Sequence, residues 1–245
     1  MANKGPRRHL KRLPAPANWK ISRKIKKFTV RPSPGPHAAE TSLPLLLIVR
    51  DILGYADNAR EAKKIINMGK ILVDGVKRKD YRYPAGLMDI ISIPDTNESF
   101  IVLFDNKGRI TLKKINNNNA KLCKIRNKTV IKGGHIQLNL HDGRNQIVKV
   151  SDPKNPTEDV YKTGDTILME IPEQKIIDHI PFEVGKLAYI TAGKHVGDLV
   201  KIVDIEKRKM YPDIITLETE DGTQFKTVKD YVFVVGDEKP VIELN

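Results

Sequence analysis

The sequence predicts a multidomain α+β protein: a basic extended arm with a short helix, a small α+β module, an antiparallel β domain and a C-terminal β module. Three observations carry this. Residues 1–39 hold eleven Lys or Arg and no Asp or Glu, within a chain whose net charge is +13 over 245 residues. Residues 43–69 carry apolar side chains at helical spacing. Beyond residue 100, alternating β-branched residues are cut by glycine turns. Residues 40–93 sum to +2 and residues 94–245 to zero, so the surplus is concentrated at one end. Such a surplus favours a polyanionic partner, nucleic acid first and acidic membrane second.

The composition narrows the classes further. Cys123 is the single cysteine, so no intrachain disulfide forms, and a thiol-rich zinc site is not expected. A reducing, cytosolic setting is expected. The longest uncharged apolar run, Leu43 to Val49, contains Pro44 and falls far short of the roughly 20 residues of a membrane span. The basic N-terminus lacks the apolar stretch of a secretory signal. No membrane partner and no cofactor are expected.

In the arm, Lys20, Arg23, Lys24 and Lys27 fall at i, i+3, i+4 and i+7, with Ile21, Ile25 and Phe28 on another face. This spacing predicts a short amphipathic basic helix. Trp19 either packs into a core or stacks on a base; packing is better supported, because large aromatics are mostly buried. The segments Leu13-Pro14-Ala15-Pro16 and Arg31-Pro32-Ser33-Pro34-Gly35-Pro36 cannot be helical inside and are expected to be extended. Without a core of their own, they are expected to order only against a partner. Lys4, Arg7, Arg8, His9, Lys11, Arg12, Lys26 and Arg31 complete the arm's candidate RNA contacts.

A first helix is expected from Leu43 to about Gly54, with Ser42 as cap and Pro44 in its first turn. A second follows, with Asn58 as cap, Ala59, Ala62, Ile65 and Ile66 on one side, Arg60, Lys63 and Lys64 on the other, and Gly69 closing it. Lys70 to Val76 reads as a strand entering an Asp74-Gly75 turn, followed by the basic run Lys77, Arg78 and Lys79 and then Tyr81, Arg82 and Tyr83. A helix with three cations beside a basic loop makes a continuous positive surface, and Arg82 is a further candidate RNA contact on it.

Residues 100–180 carry turn signals at Asp105-Asn106-Lys107-Gly108, Asn116 to Asn119, Lys132-Gly133-Gly134, His141-Asp142-Gly143 and Thr163-Gly164-Asp165, which predicts short antiparallel strands. His135 and His141 read as turn or surface residues, with no cluster of His, Cys and acid at metal spacing. Asp142 and Asp165 sit in glycine turns, where Asp is structurally favoured. Farther on, Gly193 and Gly197 bracket a basic tip, Lys194-His195, between two strands. Residues 100–245 show no nucleophile-plus-base pattern, phosphate-binding glycine loop or metal motif, so no catalytic residue is nominated.

The run Ala59 to Gly75 resembles the core of the alpha-L RNA-binding module, which occurs in a ribosomal protein, a tyrosyl-tRNA synthetase, pseudouridine synthases and a heat-shock protein. The resemblance implies that the second helix and following loop lie against RNA through Arg60, Lys63, Lys64, Lys70 and the Lys77 to Lys79 cluster. At Gly86-Leu87-Met88-Asp89 the sequence departs from the module, which usually has Gly and Asp adjacent. Phe182 to Ile202 resembles the KOW motif of ribosomal proteins and elongation factors, implying a small SH3-like barrel that binds RNA or protein. The order of arm, alpha-L module, β domain and KOW barrel is similar along the chain to small-subunit ribosomal protein four of the archaeal and eukaryotic type. His9-Leu10-Lys11-Arg12-Leu13, Arg31 to His37, Leu43 to Leu46 and Tyr83 to Asp89 match that family's pattern. It implies small-subunit rRNA and neighbouring small-subunit proteins as partners, with no homo-oligomer. The short C-terminus suits an archaeal member. The expected boundaries are 1–42 arm, 43–106 alpha-L module, 107–180 central β domain and 181–245 KOW barrel. The competing classes are an RNA-modifying enzyme that uses the alpha-L module as its handle, and a transcription-associated KOW protein.

Overall fold

Strand pairing accounts for most of the regular structure. The computed structural model describes residues 9–116, 119–152, 156–219 and 221–242; Lys4, Arg7, Arg8 and the Asn117-Asn118 part of the predicted turn lie outside them. The chain gathers into two compact units, Met1–Leu103 with Arg109–Lys114, and Phe104–Gly108 with Ile115–Asn245. The protein is mostly β with few helices, a multidomain α+β chain. No helix among the described residues is long and apolar enough to cross a membrane.

The first unit begins with a ribbon of β1 (Leu10–Lys11) and β2 (Phe28–Thr29). The predicted basic helix between them does not form. Arg23 instead donates to the carbonyls of Leu13 (3.1 Å), Ala15 (2.8 Å) and Pro16 (2.8 Å), and Arg12 donates to Ser22. So short a helix is marginal without a face to bury, and Ile25 and Phe28 have none, at 71% and 49% exposure. Trp19 and Ala15 of the arm are buried, and Asn18 O accepts a backbone bond from Ile110 N–H.

Residues 31–37 are laced to residues 80–89. Ser33 N–H donates to Arg82 O (2.9 Å), Arg82 Nε to Arg31 O (3.0 Å), and His37 Nε2 lies 3.0 Å from an oxygen of the buried Asp89. The two segments that carried much of the family resemblance therefore pack on each other. Gly86 is needed there: a Cβ at that position would lie 2.3 Å from the His37 ring.

β3 (Ser42–Pro44) pairs with the later β6 strand, Pro84–Gly86. The helical segment α1 (Leu45–Leu47) runs on as a π-helical turn, Ile48–Ile52, closed by Leu53 N–H on Ile48 O at 2.9 Å. The helix thus starts later than expected, with Pro44 itself at the cap position and Ser42 Oγ donating to Ala38 O (2.7 Å) instead of capping. Leu45 to Val49 are buried on every side, so this segment is a core plug and not an amphipathic helix. α2 (Ala59–Asn67) follows. A sheet ordered β5-β4-β7-β8-β9 completes the unit, from β4 (Leu72–Val73), β5 (Val76–Lys77), β7 (Ile90–Ile93), β8 (Glu98–Phe104) and β9 (Ile110–Ile115). Asp74 and Gly75 form the β4–β5 turn with φ of 50° and 73°, the left-handed pair that an Asp-Gly hairpin uses. The departure at Met88 is accommodated by a left-handed backbone, φ 64°, with its side chain fully buried.

The second unit holds two five-stranded antiparallel sheets. One is ordered β12-β11-β10-β13-β14, from β10 (Ala120–Val130), β11 (Ile136–Leu140), β12 (Asn145–Val148), β13 (Thr166–Glu170) and β14 (Ile176–Ile180). Ile136, Leu138 and Leu140 alternate inward and meet Cys123, Ile125, Ile167 and Met169. The other is ordered β18-β17-β16-β15-β19, from β15 (Leu187–Ile190), β16 (Leu199–Glu206), β17 (Ile214–Glu218), β18 (Gln224–Val228) and β19 (Val232–Gly236).

Candidate nucleic-acid interface

α2 is set by its ends. Asn58 accepts from the N–H groups of Arg60 (2.9 Å) and Glu61 (3.0 Å), Glu61 reaches back to Asp57 N–H (3.1 Å), and Gly69 leaves the helix with φ 73°. Ala62 and Ile66 are fully buried, which turns Arg60 and Lys64 to solvent. Lys63 is half-buried, with its ammonium 4.3 Å from the centre of the Tyr81 ring. Ala59, Arg60, Lys63, Lys64, Asn67 and Met68 line a shallow concavity. The stems of Lys79 and Lys77 pass 3.6 and 3.8 Å from where Gly69 would carry a Cβ, so the hairpin's cations adjoin the helix's C-terminal end. Lys70 is exposed but paired with Asp95 (2.6 Å), and Arg78 lies over the Tyr83 ring (4.6 Å).

In the arm, the cations separate by type. Arg12 and Trp19 are buried, at 6% and 2% exposure, and the half-buried Arg23 is committed to carbonyls, so all three candidates serve the fold. Lys11, Lys20, Lys24, Lys26 and Lys27 are exposed, as is His9, whose ring lies 5.6 Å from that of Phe28. Arg31 is half-buried. The division follows the chemistry: a planar guanidinium satisfies several carbonyls at once, while an ammonium is a strongly hydrated point charge.

In the second unit the glycine-bounded turn packs inward. Gly197 (φ 91°) sits where a Cβ would meet backbone atoms of Phe104, Asp105 and Asn106 at 3.0–3.1 Å. His195 stacks on Phe225 with ring centres 4.0 Å apart, which leaves Lys194 as the exposed cation of that tip and Gly193 to supply a φ of 99°. Tyr189 Oη both accepts from Phe104 N–H and donates to Phe104 O, each at 2.8 Å, and burial pushes its hydroxyl up to about 12.

Two lysines of β10 are interior. Lys121 is fully buried with its ammonium 3.0 Å from Asp142, which also lies 3.3 Å from Arg144. Burial opposes the Asp142 charge, but Lys121, His141 and Arg144 outweigh it and hold the carboxyl below the usual range. Lys124 Nζ donates to the carbonyls of Lys229 (3.2 Å), Asp230 (3.1 Å) and Val232 (2.7 Å), and burial pulls its amine down to about 8.

The chain is 72% identical over 244 residues to a small ribosomal subunit protein eS4 of Methanococcus aeolicus, with 100% of both chains covered. It belongs to the S4e family of ribosomal proteins. A second small ribosomal subunit protein eS4, from Methanocaldococcus jannaschii, is also 72% identical with both chains fully covered. The crystal structure of the 30S ribosomal protein S4e from Thermoplasma acidophilum aligns with a TM-score of 0.67 at 35% identity, covering 81% of this chain and 96% of that one. Ribosomal family S4e matches residues 96–176, the RS4NT (NUC023) domain residues 4–40, the S4 domain residues 45–91 and the KOW motif residues 184–218.

Within this S4e chain, the fold corrects one reading of the second unit. Cys123, His141 and Asp142 do come together, their ligand atoms all within 4.8 Å of one another. The cations of Lys121 and Arg144 already occupy the Asp142 carboxylate and would repel a metal ion. Asp165 is equally committed: it accepts from the N–H groups of Lys162 and Phe182, each at 2.9 Å, and lies 2.8 Å from His179 Nε2. Sequence reasoning passed over Lys207, Arg208, Lys209, Met210 and Tyr211, which are all exposed at the β16–β17 turn. The zero net charge of residues 94–245 hid them; the run of three cations followed by Met and Tyr was the available signal.

Proposed function

We propose that this chain is a structural constituent of the small ribosomal subunit that binds rRNA through phosphate contacts and supports subunit assembly and translation in the cytoplasm. The observation that carries the reading is the outward display of cations in the first unit: Lys11, Lys20, Lys24, Lys26 and Lys27 in the arm, with Arg60, Lys64, Lys77 and Lys79 around α2. Neighbouring small-subunit proteins are the other partners, and the chain acts without self-association, catalysis or cofactor. The commitment of Asp142 and Asp165 to cations and turn N–H groups supports the non-catalytic reading. The four-part division into arm (1–42), alpha-L module (43–106), central β domain (107–180) and KOW barrel (181–245) is part of the proposal. So is an SH3-like barrel for the last, supported by the β18-β17-β16-β15-β19 order and the 3₁₀ turn Lys229–Tyr231 before its final strand.

The test is the salt dependence of binding to archaeal small-subunit rRNA. Each phosphate contact contributes about 0.7 to 0.9 to the slope of log affinity against log salt. Changing Lys20, Lys24, Lys26 and Lys27 together to Gln should flatten the slope by roughly 3. An unchanged slope would remove the arm from the interface.

A further inference from the structure

The β16–β17 turn is tied at its base and open at its tip. Arg208 N–H donates to Asp213 Oδ1 (3.2 Å), Lys229 N–H donates to Asp213 O (3.0 Å), and the Lys229 ammonium lies 3.7 Å from the Asp213 carboxylate. Glu206 holds the Arg208 guanidinium at 3.2 Å. Lys207 and Lys209 are exposed and make no ion pair among the described residues. Next to them, Met210 is 90% exposed and Tyr211 is 73% exposed.

We infer that this tip is a second RNA contact, in which Lys207 and Lys209 bind phosphates while Tyr211, beside Met210, stacks on an unpaired base. The inference rests on the rRNA-binding reading above and extends it to the unit whose net charge gave no hint of RNA. An acidic protein surface would be matched by the cations alone and gives no use to an exposed ring. An apolar protein groove would take the ring and reject the cations, because desolvating unpaired charge is costly. Unpaired RNA presents both a phosphate and a base face within a few ångströms, and stacking of that kind tolerates any base. Duplex RNA keeps its bases stacked on each other, so the tip selects loops, bulges or strand ends. The anchoring through Asp213 lets the tip present these side chains without ordering the whole turn at the moment of binding.

The test uses the full chain and an oligouridylate of about a dozen nucleotides carrying 4-thiouridine, crosslinked by near-ultraviolet light, with the attached peptides mapped by mass spectrometry. Crosslinks at Met210 or Tyr211 are expected. In Tyr211→Ala their yield should fall by about five-fold or more, since stacking contributes roughly 1–3 kcal/mol per base. Tyr211→Phe should retain them, and Lys207→Ala with Lys209→Ala should lower the salt slope of that crosslink by about 1.4. Thermal melting by circular dichroism should be unchanged in all three, because the side chains are exposed. Crosslinks confined to residues 9–27 and 60–79 would overturn this inference and leave rRNA binding standing. Failure to crosslink anywhere would overturn this inference, while the salt dependence of binding to small-subunit rRNA decides the broader reading on its own.

Discussion

On α2, Arg60 and Lys64 stand in solvent, whereas on β10 Lys121 is fully buried against Asp142 and Lys124 is clasped by three carbonyls. The charges match and their energetics do not. An exposed cation keeps its hydration and adds little to stability, so it remains available to a polyanion. A buried one has lost its water and holds the fold only through the partner it faces. Counting charges along the chain therefore says where RNA can bind only after the inward-facing cations have been set aside.

The sharpest way to break this comparison is at Asp142. Asp142→Ala leaves the Lys121 ammonium buried without its carboxylate and should cost about 3–5 kcal/mol, read from the urea midpoint followed by circular dichroism. Because Lys121 and its neighbours hold the Asp142 carboxyl below the usual range, this contribution is fully present at neutral pH. It is lost only as pH falls through that depressed value. An unchanged midpoint would mean that the buried pair contributes nothing.

Lys124 gives the next largest effect, with a distinctive sign. Its folded amine titrates at about 8 against the ordinary lysine value of 10.5, so between those values the unfolded chain binds more protons than the folded one. Stability should rise with pH across that window by up to roughly 3 kcal/mol, relative to a flat baseline below pH 8. Lys124→Met should abolish this component, and parallel stability-against-pH curves for the two proteins would show that burial does not depress the Lys124 amine. Smallest of all, Arg60→Gln and Lys64→Gln should each leave unfolding free energy within about 0.5 kcal/mol of wild type while weakening RNA binding. A larger loss of stability would place these cations among the structural ones.

Legibility in the sequence followed the range of the interactions involved. α2, its Asn58 cap and its Gly69 exit were readable because a cap acts over two or three residues. The Asp74-Gly75 hairpin was readable for the same reason. The arm's conformation was not, because Arg23 finds its acceptors between 7 and 11 residues back and so overrides a local helical pattern. Lys121 and Asp142 were illegible for a similar reason, since the partners are 21 residues apart and meet only once the β sheet has formed. The assumption that cations lie outside failed at Arg12, Arg23, Lys121 and Lys124, each satisfied by a backbone or side-chain partner that the linear pattern did not pair with it.

Trp19 is the only tryptophan in the sequence, and it lies buried in the arm of the first unit. Excited selectively, the chain therefore emits from a single site, and that site belongs to the segment whose lysines face outward. Loosening of the arm should shift this emission to the red while the far-ultraviolet signal, dominated by strands, stays nearly constant. The molecule carries its own optical gauge of the arm, readable in the intact protein without any added label.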